Sequence, residues 1–219
     1  METTKAIGLI SDVHGNVEAL ASAWHLLAKS LPDDSLILNA GDNVGYGANP
    51  EETVQFLRRA RNTITVQGNY DRVIAKYPGK SDDYRKRWSK SRPEKLDAVK
   101  HDSDRISDET REWLLELPVA VDLEVIGLKV LLTHYGPRSK EGIGKWTSDD
   151  ELFELSNLTD ADVVVCGHTH VPFVRRSGRV LFVNPGSIGR SFNGAYSYAV
   201  LSQSSTGSPE AAHYSGTLK

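Results

Sequence analysis

Seven residues whose side chains bind divalent cations follow closely on five short apolar runs. Asp12 and His14 come after Ile7-Gly-Leu-Ile-Ser11, Asp42 after Leu36-Ile-Leu-Asn-Ala40, and Asn69 after Thr63-Ile-Thr-Val66. His134 comes after Val130-Leu-Leu-Thr133, and His168 and His170 after Val163-Val-Val-Cys166. The set offers hard oxygens and imidazoles without a thiolate, which suits Mn, Fe, Zn and similar ions better than an iron–sulfur cluster or a cysteine zinc site. Two such ions about 3.5–4 Å apart would clamp an in-line displacement at phosphorus. One lowers the pKa of a water to make hydroxide, and both withdraw charge from the phosphoryl oxygens. A carboxylate directly after a strand can bridge two ions, and Asp42 is the candidate. Taken singly, Asp12 reads as a helix cap, His134 as a core histidine and Gly41-Asp42 as a turn. Coincidence at five strand ends is the harder explanation. His25, His101 and His213 have no partner at ligand spacing and read as structural or solvent-exposed.

In open α/β sheets, reacting groups collect beyond the carboxyl ends of strands, so the five runs are expected to be strands. After the first, Asn16 should cap a helix carrying Val17, Leu20, Trp24, Leu27 and Leu31 on one face, with Pro32 past its end. After the second, Asn49 as cap, Pro50 at the first position and the acids Glu51 and Glu52 predict another helix. From about 76 to 112 the character changes. This stretch is dense in both signs of charge and reads as helical pieces broken near Ser91-Arg92-Pro93, a cap-like excursion from the sheet. Ser107 should cap a further helix bearing Trp113, Leu114 and Leu117. Residues 119–125, 127–133, 163–166, 180–183 and 196–201 read as strands, with an optional edge strand at 211–214. Ser148 starts a short helix through Leu155.

A chain of 219 residues fits one α/β domain, here 1–219. The net charge of −3 leaves no basic footprint, so no stable nucleic-acid complex is expected, although a nucleotide substrate remains compatible. The single cysteine, Cys166, excludes an intrachain disulfide, suits a reducing compartment and reads as a small buried core residue. Met1 to Lys5 carry no basic-then-apolar leader, and no run reaches the roughly 20 apolar residues of a membrane helix. A cytoplasmic location without membrane contact is expected. Homo-oligomerisation is left open.

Asp12-x-His14, Gly41-Asp42, Gly68-Asn69-x-Asp71, His134 and Gly167-His168-x-His170 have the order and spacing of the calcineurin-like metallophosphoesterase superfamily. The chain resembles most its small bacterial and archaeal phosphodiesterase branch, through Ser11-Asp-Val-His-Gly-Asn16, Gly41-Asp-Asn-Val-Gly-Tyr-Gly47 and Val183-Asn-Pro-Gly-Ser-Ile-Gly189. The resemblance implies an α/β fold of two mixed β-sheets packed as a sandwich and flanked by helices. It assigns Asp12, His14 and His170 to a first divalent ion, Asn69, His134 and His168 to a second, and Asp42 to both. Manganese is the first choice, with iron, zinc, nickel or cobalt as alternatives. The implied activity is phosphoester hydrolysis by metal-held hydroxide on a small phosphoester or nucleotide. Asp42, Asn69, Tyr70 and Asp71 are the catalytic candidates, and Asn43 and Arg138 the substrate contacts. Much of the superfamily has histidine where this chain has Tyr70, and there Asp71 would orient it. A tyrosine shuttles protons poorly near neutral pH, which favours diesters over monoesters. The alternatives are a phosphomonoesterase or protein phosphatase, a dinucleoside polyphosphate hydrolase, and a non-catalytic scaffold on the same fold.

Overall fold

A computed structural model describes residues 6–191 and 194–218. The apolar runs pair into two five-stranded mixed sheets. In the first, β1 (Ala6–Ile10), β2 (Ile37–Asn39) and β3 (Thr63–Thr65) run parallel, and β9 (Tyr196–Gln203) returns antiparallel to β1 with β10 (Pro209–Gly216) outside it. In the second, β5 (Leu128–Thr133), β6 (Val163–Val165) and β8 (Val180–Asn184) are parallel, with β4 (Ala120–Val125) and β7 (Phe173–Ser177) antiparallel at its edges. Alternate residues of both sheets meet face to face: Ile7, Leu9 and Leu38 from one pack with Val130, Leu132, Val163, Val165 and Val183 from the other. This is the expected sandwich.

Helices cover the outer faces. On the first sheet, α1 (Val17–Ser30) sets Leu20, Ala23 and Leu27 against Ile10 and Ile37, and α2 (Pro50–Arg59) adds Leu57. Asn16 caps α1 through a bond from Ala19 N to its Oδ1 at 3.1 Å. Asn49 makes no such side-chain bond; its own N–H donates to Gly15 O instead, tying α2 to the loop after β1. On the second sheet, α6 (Asp149–Ser156) packs Leu152 against Val164, Phe173 and Phe182, and the cysteine Cys166 is buried there.

Between β3 and β4 lie α3 (Asn69–Trp88), α4 (Pro93–Ser103) and α5 (Asp108–Glu116), with their own apolar cluster around Ile74, Tyr77, Trp88, Val99 and Leu114. The break before Pro93 falls where the sequence places it, but α3 starts earlier than the excursion and runs through Pro78. A proline inside a helix cannot donate to the carbonyl four residues back. Here Arg111 of α5 supplies the missing donor: its Nη1 reaches Ile74 O at 3.2 Å and Ala75 O at 3.3 Å. β7 is a strand the sequence does not announce, because Arg175 and Arg176 interrupt its alternation at a sheet edge. Among the described residues no helix is long and apolar enough to cross a membrane.

Candidate metal centre

The loops after β1, β2, β3, β5 and β6 meet at one edge of the sandwich. Asp12, His14 and His170 form one group of side chains with ligand atoms within 4.8 Å of one another, and Asp42, His134 and His168 form a second. In the first group Nε2 of His170 lies 3.0 Å from Nε2 of His14 and 3.3 Å from Asp12 Oδ1. In the second, Nε2 of His134 lies 3.4 Å from Asp42 Oδ2 and 3.3 Å from Nδ1 of His168. Asn69 joins the second group, its Oδ1 3.2 Å from His134 Nε2 and within reach of the Tyr135 hydroxyl. Each group draws on both sheets: Asp12, His14, Asp42 and Asn69 follow strands of the first, and the three other histidines follow strands of the second.

The backbone takes unusual turns to bring these side chains in. Asp12, His14, Asp42, His168 and His170 all have φ between 49° and 70°, a left-handed region that non-glycine residues seldom enter. The loops hold one another in these conformations: Asp12 N donates to Gly41 O, His14 N to Asp42 O and Gly15 N to Asn43 O, each at 2.9 Å. Two glycines permit the close approach. A Cβ on Gly68 would stand 2.1 Å from Asp42 Oδ1, and one on Gly167 would stand 2.0 Å from Ser11 Oγ.

Hydrogen bonds then aim each ligand. His134 Nδ1 lies 2.7 Å from Ala40 O; a carbonyl only accepts, so Nδ1 carries hydrogen and Nε2 is the atom turned to the site. Asp12 Oδ2 accepts from Ser11 Oγ and from His168 N, which leaves Oδ1 for the centre. Asp42 Oδ1 accepts from Tyr70 N at 2.7 Å, in the first turn of α3. Asn184 Nδ2, at the end of β8, donates to Gly167 O and Thr169 Oγ1 and so braces the histidine loop, and Ser187 Oγ donates to Asp12 O in the loop after β1.

The electrostatics favour a cation. Burial would raise the carboxyl pKa of Asp42, but the charge and bond of His134, together with His14 and the Tyr70 N–H, hold it well below the usual range. Asp12 is likewise held down against burial, by His170 and His134. Burial keeps His14 neutral, with a pKa lowered to about 4. Asp12 Oδ1, the oxygen turned to the centre, is buried with no hydrogen-bond partner among the described residues, and His14 turns Nε2 toward it and toward His170. Lone pairs on oxygen and imidazole nitrogen converge here with few donors to satisfy them, and divalent ions would satisfy that donor set.

The other sequence candidates separate. Tyr70 lines a cavity of about 470 Å³ in front of the two groups, together with Asp42, Asn69, His168 and His170. Asp71 does not reach it. Its buried carboxylate accepts from Asn43 N, Asn43 Nδ2, Val44 N and Gly68 N, and so fastens the Asp42 loop to the start of α3. Asn43 is equally enclosed, its amide shared between Asn39 and Asp71, so it shapes the turn and has no face for substrate. Arg138 is exposed in a different groove, beside Asp122, Leu131 and Pro137, because the chain turns away from the site after His134. The residues of this cavity that the sequence does not single out are Tyr46, Arg190 and the stretch Ser91, Arg92, Pro93, Glu94 and Lys95. His25 is exposed, His101 bonds Asp102, and His213 lies 2.7 Å from Asn184 O, all outside the two groups.

Three comparisons place these features among known proteins. The uncharacterized protein MJ0912 of Methanocaldococcus jannaschii is 30% identical over 204 residues, covering 86% of this chain and 78% of that protein. The hypothetical protein PH1004 of Pyrococcus horikoshii OT3 shares the fold with a TM-score of 0.80 at 17% identity, over 94% of this chain and 86% of the other. A metallophosphoesterase from Sphaerobacter thermophilus superposes with a TM-score of 0.74 at 23% identity, over 98% and 89% of the two chains. The family model of the calcineurin-like phosphoesterase superfamily domain matches residues 6–206. With that match across nearly its whole length, the chain belongs to the calcineurin-like phosphoesterase superfamily.

Proposed function

We propose that this protein is a dinuclear metal-dependent phosphoesterase whose preferred substrates are phosphodiesters. The observation that carries the reading is the pair of acid–imidazole groups side by side at one edge of the sandwich, with Asp42 and Asn69 on the cavity in front of them. Asp12, His14 and His170 would hold one ion, Asn69, His134 and His168 the other, and Asp42 both, with manganese the first candidate. When bound, two divalent ions supply Lewis acidity toward the phosphoryl oxygens and lower the pKa of water.

The protein's own part is orientation. Ala40 O fixes the His134 ring, Ser11 and His168 N fix Asp12, and Tyr70 N fixes Asp42, so little reorganisation is needed when substrate arrives. Tyr70 stays protonated at neutral pH: burial, its bond to the Tyr46 hydroxyl and nearby charge raise its pKa well above the ordinary tyrosine value. It can donate a hydrogen bond to the substrate but cannot relay a proton efficiently. That supports diesters over monoesters.

The test is hydrolysis of bis(p-nitrophenyl) phosphate beside p-nitrophenyl phosphate by metal-stripped protein refilled with manganese. Diester turnover that depends on added metal is expected. Turnover by the stripped protein would overturn the metal dependence, and monoester preference would overturn the substrate class. Two bound ions with turnover of neither would favour the scaffold.

A further inference from the structure

The junction of α3 and α4 brings further cations to the cavity that the metal groups line. Ser91, Arg92, Glu94 and Lys95 line one wall, and Arg190 lines another part of the cavity. Two of the cations rest on tyrosine rings. Lys95 Nζ lies 4.5 Å from the ring centre of Tyr70 and 4.9 Å from that of Trp88, and Arg190 Cζ lies 3.8 Å from the ring centre of Tyr46. The Tyr46 and Tyr70 hydroxyls are bonded to each other, so Arg190, Tyr46, Tyr70 and Lys95 form one connected frame. Among the described residues, Lys95, Arg92 and Arg190 form no ion pair with a carboxylate. The one acid on this wall, Glu94, is exposed and unpaired with them.

A cation parked on a ring face differs from one in a salt bridge. The ring's quadrupole attracts it without occupying its N–H groups, which stay available to an anion. Lys95 is half-buried against two aromatic rings, which hold its ammonium in place while leaving its N–H groups without a carboxylate partner. The wall also contains the first turn of α4, where Pro93 opens the helix and Arg92, at the cap position, offers no side-chain acceptor to its free amides. The reacting phosphate would sit at the metal groups. The tyrosines under Lys95 and Arg190 border His14, so a substrate held at the metal groups would have these cations beside it, free of carboxylate partners and open to a second negative group; a cavity of about 470 Å³ lies within the usual range for small-molecule sites.

We propose that Lys95, Arg92 and Arg190 form an anion subsite for a second, non-reacting phosphate of the same substrate. The preferred class is then a phosphodiester that carries a further phosphate group. This rests on the phosphodiesterase reading of the adjoining site.

The experiment uses two pairs of probes on manganese-loaded protein. Calorimetry compares thymidine 3′,5′-bisphosphate with thymidine 5′-monophosphate, and kinetics compare the p-nitrophenyl ester of thymidine 5′-phosphate with and without a 3′-phosphate. The extra phosphate should tighten binding and raise kcat/KM about tenfold, as charge-assisted hydrogen bonds would give. That advantage should fall to within about twofold in the Lys95→Gln/Arg190→Gln double variant and shrink with added salt. Circular dichroism and manganese content check that this variant is folded and loaded. No advantage in the parent protein, or an advantage the double variant retains, overturns the subsite. Hydrolysis of both esters at equal rates would sink the subsite alone. Tighter bisphosphate binding with hydrolysis of neither ester would leave the subsite standing and remove the phosphodiesterase reading.

Discussion

Loading the metal centre is expected to expel a proton from His134. The ring is buried, with Nδ1 committed to Ala40 O and Nε2 3.4 Å from Asp42 Oδ2. Burial disfavours the imidazolium, but the charge of Asp42, the bond to it and the charge of Asp12 outweigh this and carry the pKa up to about 9. A divalent ion needs the Nε2 lone pair, so ion and proton compete for one atom. At pH 7, two pH units below that value, nearly every ion-free molecule holds the proton. Displacing it costs on the order of 2.7 kcal/mol, or roughly a hundredfold in affinity. Apparent affinity should therefore climb about tenfold per pH unit from pH 6.5 to 8.5 and level off above about 9. His14, neutral above about pH 4, adds nothing in this window. Calorimetric titration of manganese into metal-free protein, repeated in buffers of different ionisation enthalpy, counts the protons released at each pH. Release close to one proton at pH 7.5 is expected. Affinity independent of pH across this range, with no proton released, would refute the argument that Asp42 charges His134.

Three other perturbations test different parts of the structure. Gly68→Ala puts a methyl 2.1 Å from Asp42 Oδ1 and 2.2 Å from Asp42 N, so the carboxylate must move; metal content should fall below two ions per chain, and diester turnover by about a hundredfold, the scale of an ångström misplacement. Arg111→Met should destabilise the protein by about 2 kcal/mol, since it strips Ile74 O of the donor that replaces the Pro78 amide; urea unfolding should find much of the loss recovered when Pro78→Ala is added, whereas additive effects would mean the two are uncoupled. Tyr70→His, which installs a group able to shuttle protons at the cavity wall, should raise the ratio of monoester to diester turnover; an unchanged ratio would mean that this position does not face the leaving group.

The site was readable because its residues close short strands, and strand ends are fixed by local apolar patterning. What brings those ends together is not local. Pairing of β6 with β8 skips over β7, and the pairing of the two sheets depends on alternate faces whose partners lie far along the chain. The early start of α3 was hidden for a related reason. Gly68 offers no side-chain cap, Pro78 and Gly79 both disfavour a helix interior, and the missing donor comes from Arg111 on another helix. Arg138 shows the opposite error: closeness to His134 in sequence does not survive the turn at Gly136-Pro137, which sends the side chain to another groove. Lys95 and Arg92 carry no signal of their own in a stretch crowded with charge; their position matters only because α4 folds back over the cavity.

Because each metal group straddles the seam between the two sheets, its members lie far apart along the chain: His14 and His170 are separated by 156 residues. Loops of that length close late, after local structure has formed. An ion cannot then nucleate this fold as zinc nucleates a finger; it can bind tightly only once both sheets are in place. Metal uptake during refolding should be the closing event, and it should rivet the sheets together along their shared edge. On the proposed metal-dependent reading, protein refolded without the ion should be folded and inactive, and should gain activity on addition of manganese without a further round of refolding.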